Sequence, residues 1–146
     1  FKYGEERQSR RIARAIVEAR RTSPVTSTGD LASIVRRSLR RKGYTRIDPA
    51  TRTFQAIRIW VNQELEGLEV ALEAMCRRLR TGARLVVISF HSLEDRIVKH
   101  TFRAFEREGK VAIRVLTKRP VIPQDEEVER NPRARSAKLR VAERVA

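Results

Sequence analysis

The sequence predicts an α/β protein in two parts: a basic, all-helical stretch, then a segment where strands and helices alternate. Three observations lead there. Apolar residues recur every three or four positions from Ile12 to Leu79, the period of a helix face. That period stops at the turn "RTGA", and a near-continuous apolar run, "RLVVISF" (84–90), replaces it, the pattern of a strand covered on both faces. Period-two alternation then appears at Val111, Ile113 and Val115, and again at Leu139 and Val141.

Taken in order, residues 5–22 predict a first helix whose stripe is Ile12, Ala15, Ile16 and Ala19, with Arg7, Arg10, Arg11, Arg14 and Arg21 over much of the rest. After "TSPVTST", Ser27 and Asp30 have the spacing of a capping box. They open a second helix that buries Leu31, Ile34, Val35 and Leu39, with Arg36, Arg37, Arg40, Arg41 and Lys42 trailing off its end. Cations there suit the helix dipole, so part of that cluster has a structural explanation. Residues 51–80 read as one long helix through Phe54, Ile57, Val61, Leu65, Leu68, Leu72, Met75 and Leu79. Unbroken, it would run roughly 45 Å, with Gly67 as its expected bend. After the apolar strand, Ser92 and Asp95 predict a second capping box and a helix from Leu93 to about Glu108, buried along Leu93, Ile97, Val98, Phe102 and Phe105. The alternation at 111–115, a long polar connection over 118–136 and a last strand complete the order. Three strands are few for a buried sheet, so further strands are expected upstream of Phe1.

Charge points to the partner. Thirty-three Lys and Arg against eighteen Asp and Glu leave +15, mostly Arg, whose planar fork matches phosphate oxygens. Residues 1–49 alone carry thirteen basic and five acidic side chains. The competing explanation is Arg in ordinary surface ion pairs; nucleic acid is the better reading. A single cysteine, Cys76 in a helical pattern, excludes an internal disulfide, fits a reducing compartment and reads as a small core or surface residue, not a nucleophile. No apolar run reaches the roughly 18–20 residues of a membrane span, and the chain opens on Phe1, not Met, so a preceding portion is expected.

Three segments carry candidate chemistry. Phe90-His91-Ser92 falls at the carboxyl end of a strand, where open α/β sheets bind ligands. A Ser92–His91–Asp95 triad fails, because Ser92 serves better as a cap, Asp95 lies one turn into the helix, and no G-x-S-x-G elbow exists. A metal set of His91, Glu94 and Asp95 has no recognised ligand spacing. What remains is an imidazole and an aromatic ring at a sheet edge, suited to a planar ligand and equally to plain packing. "NPRARSAKLR" (131–140) places Arg133 and Arg135 ahead of a strand, for phosphate or for pairing with Asp125, Glu126, Glu127 and Glu129. "DPATRTFQAIRIWVN" (48–62) is rich in polar residues for a core helix, and its Trp60 is read first as packing and second as a stacking platform.

The stretches "YGEERQSRRIARAIVEAR", "PATRTFQAIRIWVNQELE", "RLVVISFHSLEDRIVK", "LTKRPVIP" and "NPRARSAKLRVAER" cover nearly the whole chain in order. They resemble the C-terminal part of the RsmH/MraW family of S-adenosylmethionine-dependent methyltransferases, which make N4-methylcytidine in bacterial small-subunit (16S) ribosomal RNA. Two positions depart from the family pattern: Asp48 stands where His is usual, and Ala83 where a second Gly is usual. The resemblance implies the C-terminal portion of a class I, Rossmann-like methyltransferase sheet, over residues 66–146. Residues 1–65 would be part of an inserted, basic all-helical domain. The strands that hold S-adenosylmethionine would lie upstream of Phe1, so no cofactor ligand and no catalytic residue is carried over to this chain.

By resemblance, Phe90, His91 and Ser92 would line the base pocket, and Arg133 and Arg135 would hold phosphates on the same side. The partners implied are ribosomal RNA and the small ribosomal subunit in the cytoplasm, with no membrane and no metal. This chain alone is expected to be inactive. A second reading, of a different class, is a non-catalytic basic RNA-binding or structural module.

Overall fold

The computed structural model describes residues 1–39 and 47–146. Among these, six α-helices and a three-stranded antiparallel sheet form two compact units, 1–64 and 65–146.

In the first unit, α1 (Ser9–Thr22) begins four residues later than the predicted span 5–22. Glu5 adopts φ 49°, outside helical space, and the buried Glu6 carboxylate accepts the Gln8 N–H at 2.9 Å. The capping box of α2 (Thr28–Leu39) forms as its spacing predicts. The Asp30 N–H donates to Ser27 Oγ and the Ser27 N–H to Asp30 Oδ2, both at 3.1 Å. The trailing Arg40, Arg41 and Lys42 lie outside the described residues. Ile12, Ala32, Val35, Leu39 and Ala50 make the core of this unit, with Ile16, Leu31 and Phe54 against it.

The predicted 51–80 helix is two helices, α3 (Thr51–Asn62) and α4 (Leu68–Arg78). Gln63 ends α3 in the left-handed region at φ 53°, and Gly67 enters α4 at φ 73°, a conformation that favours glycine. The expected bend at Gly67 is thus one end of a five-residue break. Apolar residues keep their spacing across it, so periodicity alone cannot show it.

In the second unit, β1 (Arg84–Ser89) leads into α5 (Ser92–Glu108) and then β2 (Ile113–Val115). After α6 (Asp125–Arg130) and a 3₁₀ turn (Pro132–Ser136), β3 (Lys138–Arg144) inserts between them, giving the order β1-β3-β2. β3 runs antiparallel to both neighbours, so β1 and β2 share a direction, as their helical crossover demands. α4 and α5 pack on one face of this sheet. Leu72, Cys76, Val98, Phe102, Phe105, Val111, Ile113 and Ala142 form the core there.

Two expectations for the strands are corrected. β1 is not covered on both faces: Leu85 and Val87 pack inward, while Val86 and Ile88 are 52% and 54% exposed. β3 has the opposite phase to the one its apolar residues suggest. Arg140 and Ala142 are buried, and Leu139 and Val141 are only half-covered. The cause is an ion pair. Arg140 reaches across to α5 and grips Asp95 through Nε and Nη2, at 2.6 and 3.2 Å. On the strand surface Glu143 of β3 pairs with Arg84 of β1 and Arg114 of β2, at 2.9 and 2.8 Å, and their hydrogen bonds hold its carboxyl below the usual range.

Candidate functional site

The site is built from the carboxyl end of β1. Phe90 leaves the strand 55% exposed, and His91, in extended backbone at φ −140°, is the N-cap of α5. Its ring does the capping: the Glu94 N–H donates to His91 Nδ1 at 3.3 Å. The Glu94 carboxylate completes the exchange by accepting the Phe90 N–H at 3.2 Å. This is the logic of a capping box, moved one residue toward the N-terminus of the predicted one. Ser92 is therefore the first helical residue, not the cap, and Asp95 is committed to Arg140.

The arrangement restricts what His91 can do. With Nδ1 accepting a backbone N–H, the neutral ring carries its proton on Nε2, and Glu94 Oε1 lies 3.4 Å from that nitrogen. The ring, its side chain only 8% exposed, acts as a fixed wall beside Phe90 and Ser92. Two substitutions separate its roles. His91→Ala should cost about 0.5–2 kcal/mol by removing the cap, and His91→Asn should recover most of that. Thermal unfolding of the two variants reads the difference.

Asp95 and Arg140 brace the same turn. Burial by itself would raise the Asp95 pKa, but the hydrogen bonds and charge of Arg140, with Lys138 and Lys99 nearby, outweigh it and hold the carboxyl below its ordinary 3.8. Lys138 also pairs in register with Ser89, so the start of β3 lies beside the end of β1. The 3₁₀ turn that feeds β3 brings Arg133 and Arg135 to this end of the sheet, both exposed. They sit in a tight turn, with the Arg133 N–H donating to Asn131 Oδ1 at 3.3 Å, and not in the extended segment the sequence suggests. Neither forms an ion pair with Asp125, Glu126, Glu127 or Glu129 among the described residues. That removes the structural explanation for the two arginines and leaves them open to a ligand.

In the first unit, Arg11, Arg14 and Arg37 rim a groove of about 580 Å³ between α1 and α2. Asp48, the departure from the family pattern, accepts from Arg36 Nε at 3.0 Å and from the Ala50 N–H at 2.8 Å. The Arg36 bonds first, and the Ala50 N–H next, keep its carboxyl below the usual range, so this residue anchors a turn as an anion. Trp60 is 68% exposed and does not pack within this chain as expected, whereas Cys76 takes the core position of its two alternatives, with burial pushing its thiol pKa up. No helix among the described residues is long and apolar enough to cross a membrane.

Sequence reasoning missed the Asp95–Arg140 brace and the Glu94 arm of the cap. A signal for the second was present, since Glu94 stands three residues after His91, but His is an uncommon cap and Ser92 next to it is a common one.

Comparison with known proteins assigns this arrangement to a family. The family model described as "MraW methylase family" matches residues 1–145. The chain is 54% identical over 145 residues to the ribosomal RNA small subunit methyltransferase H of Anaplasma marginale (strain Florida), covering 99% of this chain and 49% of that protein. It is 55% identical over 144 residues to the methyltransferase of the same name from Acidobacterium capsulatum, covering 99% and 47%. The Neorickettsia sennetsu protein of that name is 53% identical over 145 residues, covering 99% and 48%. The chain thus spans about half the length of the curated relatives it matches, and it belongs to the MraW methylase family.

Proposed function

We propose that this chain is the C-terminal part of an S-adenosylmethionine-dependent enzyme that forms N4-methylcytidine in small-subunit (16S) ribosomal RNA. The observation that carries this is identity of 53–55% over almost the whole chain to proteins named ribosomal RNA small subunit methyltransferase H. On this reading residues 66–146 close a class I methyltransferase sheet. The exposed Val86 and Ile88 would then be covered by the remainder of that protein. Residues 1–65 belong to an inserted helical domain whose Arg11, Arg14 and Arg37 meet RNA phosphates.

S-adenosylmethionine supplies the methyl group as an electrophilic sulfonium carbon. At the turn described above, the Glu94 N–H is taken by His91 Nδ1 and the Asp95 N–H by the His91 carbonyl at 3.2 Å. On this reading the cofactor's ligands belong to the rest of the protein, and residues 1–146 alone transfer no methyl group.

This chain's part is to receive the base. A target cytosine must leave its stack for its exocyclic amine to be reached. Phe90 offers an exposed ring for it to stack on, while His91 and Ser92 form the adjoining edge. Arg133 and Arg135 hold the flanking phosphates through their paired N–H groups. His91 shapes the pocket, its ring held by the Glu94 N–H bond to Nδ1.

The test uses the full-length protein and small ribosomal subunits lacking the modification. His91→Asn, which keeps the cap, should lower methyl transfer at least about tenfold if the ring is part of the pocket, a loss near 1.4 kcal/mol of barrier. Arg135→Gln should raise KM for the subunit more than it lowers kcat. Wild-type rates in both variants would overturn the site assignment.

A further inference from the structure

A second cationic feature adjoins the first turn of α5 and continues along that helix. α5, β3 and the segment following β2 enclose a depression of about 420 Å³ whose lining holds seven Lys and Arg residues and one carboxylate, Asp95. That carboxylate is already spent, gripped by Arg140 and approached by Lys138 at 3.8 Å. The remaining walls carry Lys99 and Arg103 from α5 and Lys118 and Arg119 from the segment after β2. None of these four forms an ion pair among the described residues.

The segment is held firmly. The Leu116 N–H donates to the Val141 carbonyl at 3.0 Å, and the Val141 N–H donates to Thr117 Oγ1 at 2.8 Å. Beyond it, Val121 and Leu139 exchange backbone bonds at 2.9 and 2.8 Å. Between these two clamps Lys118 and Arg119 are projected toward α5. Four uncompensated cations converging on one concavity repel one another, and a polyanion relieves that repulsion.

A second depression, of about 650 Å³, shares Arg103 and Lys118 with the first and extends along α5 to Arg107. Its one carboxylate, Glu106, accepts the Val115 N–H at 2.8 Å, and Arg107 pairs with Glu108 at 2.7 Å. From Lys99 to Arg103 the helix rises roughly 6 Å, about two nucleotides of a strand at about 3.4 Å each.

We propose that Lys99, Arg103, Lys118 and Arg119 form a docking track for the RNA sugar-phosphate backbone that continues from the base pocket and uses residues other than Arg133 and Arg135. The inference rests on the rRNA reading above and adds where the flanking strand runs. The track presents charge, so it binds backbone without reading sequence. Val121 and Ile122 are exposed beside it, so an anionic membrane surface is the competing occupant.

The experiment measures binding of the full-length protein to a fluorescein-labelled mixed-sequence oligoribonucleotide as salt is raised. Replacing all four residues by Gln should weaken binding on the order of a hundredfold at 0.1 M salt and lower the salt slope by about 3. The charge-preserving set Lys99→Arg, Arg103→Lys, Lys118→Arg and Arg119→Lys should keep the wild-type slope, which separates lost charge from lost fold. In the subunit methylation assay the Gln set should raise KM and leave kcat within about twofold. An unchanged slope in the Gln set overturns the track, even where the wild-type protein methylates normally. Conversely, a protein with no methyl transfer at all overturns the enzyme reading and leaves the binding slope readable. Vesicles one-third phosphatidylserine provide the last arm: binding lost there in the Gln set, with RNA binding unchanged, would assign the surface to membrane and overturn the proposal.

Discussion

Arg140→Met, introduced alone, is expected to destabilise the second unit by about 3–5 kcal/mol, because it leaves the Asp95 carboxylate buried without its partner. The Asp95 and Arg140 side chains are 11% and 6% exposed, so water cannot make up the loss. The double variant Asp95→Leu/Arg140→Met should recover most of the stability, since an apolar pair of similar volume removes both desolvation costs. Urea unfolding of the three proteins gives the comparison. A single-variant cost below about 1 kcal/mol would show that the pair is solvated. The pair also sets an acid limit. The folded Asp95 pKa lies below its unfolded value near 3.8, so its contribution is fully present above that value and is lost as pH falls through the folded pKa. Arg140→Met should flatten this part of the acid-unfolding profile.

The second large effect is expected at Phe102. It is 1% exposed, at the centre of the core that joins α4 and α5 to the sheet. Phe102→Ala should cost about 3–5 kcal/mol, the transfer term plus the cavity left behind. The conservative Phe102→Leu should cost distinctly less. The urea midpoint should shift with little change in slope, because the variant empties a cavity without altering the surface exposed on unfolding. A loss at Phe102→Ala no greater than at Phe102→Leu would place this residue outside the packed core. Both variants act on α5, the helix whose first turn carries the proposed base pocket and whose later turns carry the proposed cationic track.

What was legible in the sequence was whatever is decided within a few residues. The Ser27–Asp30 box, the entry into β1 and most of the buried face of α5 depend on local spacing and formed as read; Ile97 is only half-buried, and Asp95 and Thr101 are buried beside Leu93, Val98, Phe102 and Phe105. The phase of β3 was hidden because it is fixed by Asp95, 45 residues away in the chain, which draws a charged residue inside. The break over 63–67 was hidden because a five-residue turn preserved the apolar rhythm on both sides of it. At the candidate site, position was readable and role was not. His91 and Phe90 were placed by the strand-to-helix turn, but the use of the imidazole as a cap required knowing which nitrogen faces the Glu94 N–H. Arg133 and Arg135 were weighed against a neighbouring acidic run, and only the folded turn shows that no ion pair forms with it among the described residues.

The central claim is that this chain serves cytosine methylation in small-subunit rRNA. The most direct measurement supplies the full-length protein with methyl-labelled S-adenosylmethionine and unmodified small ribosomal subunits, then digests the rRNA and identifies the labelled nucleoside by mass. The account predicts label in N4-methylcytidine, reduced by His91→Asn and by the four-residue Gln set. Label in another nucleoside, or none in the wild-type protein, would contradict it.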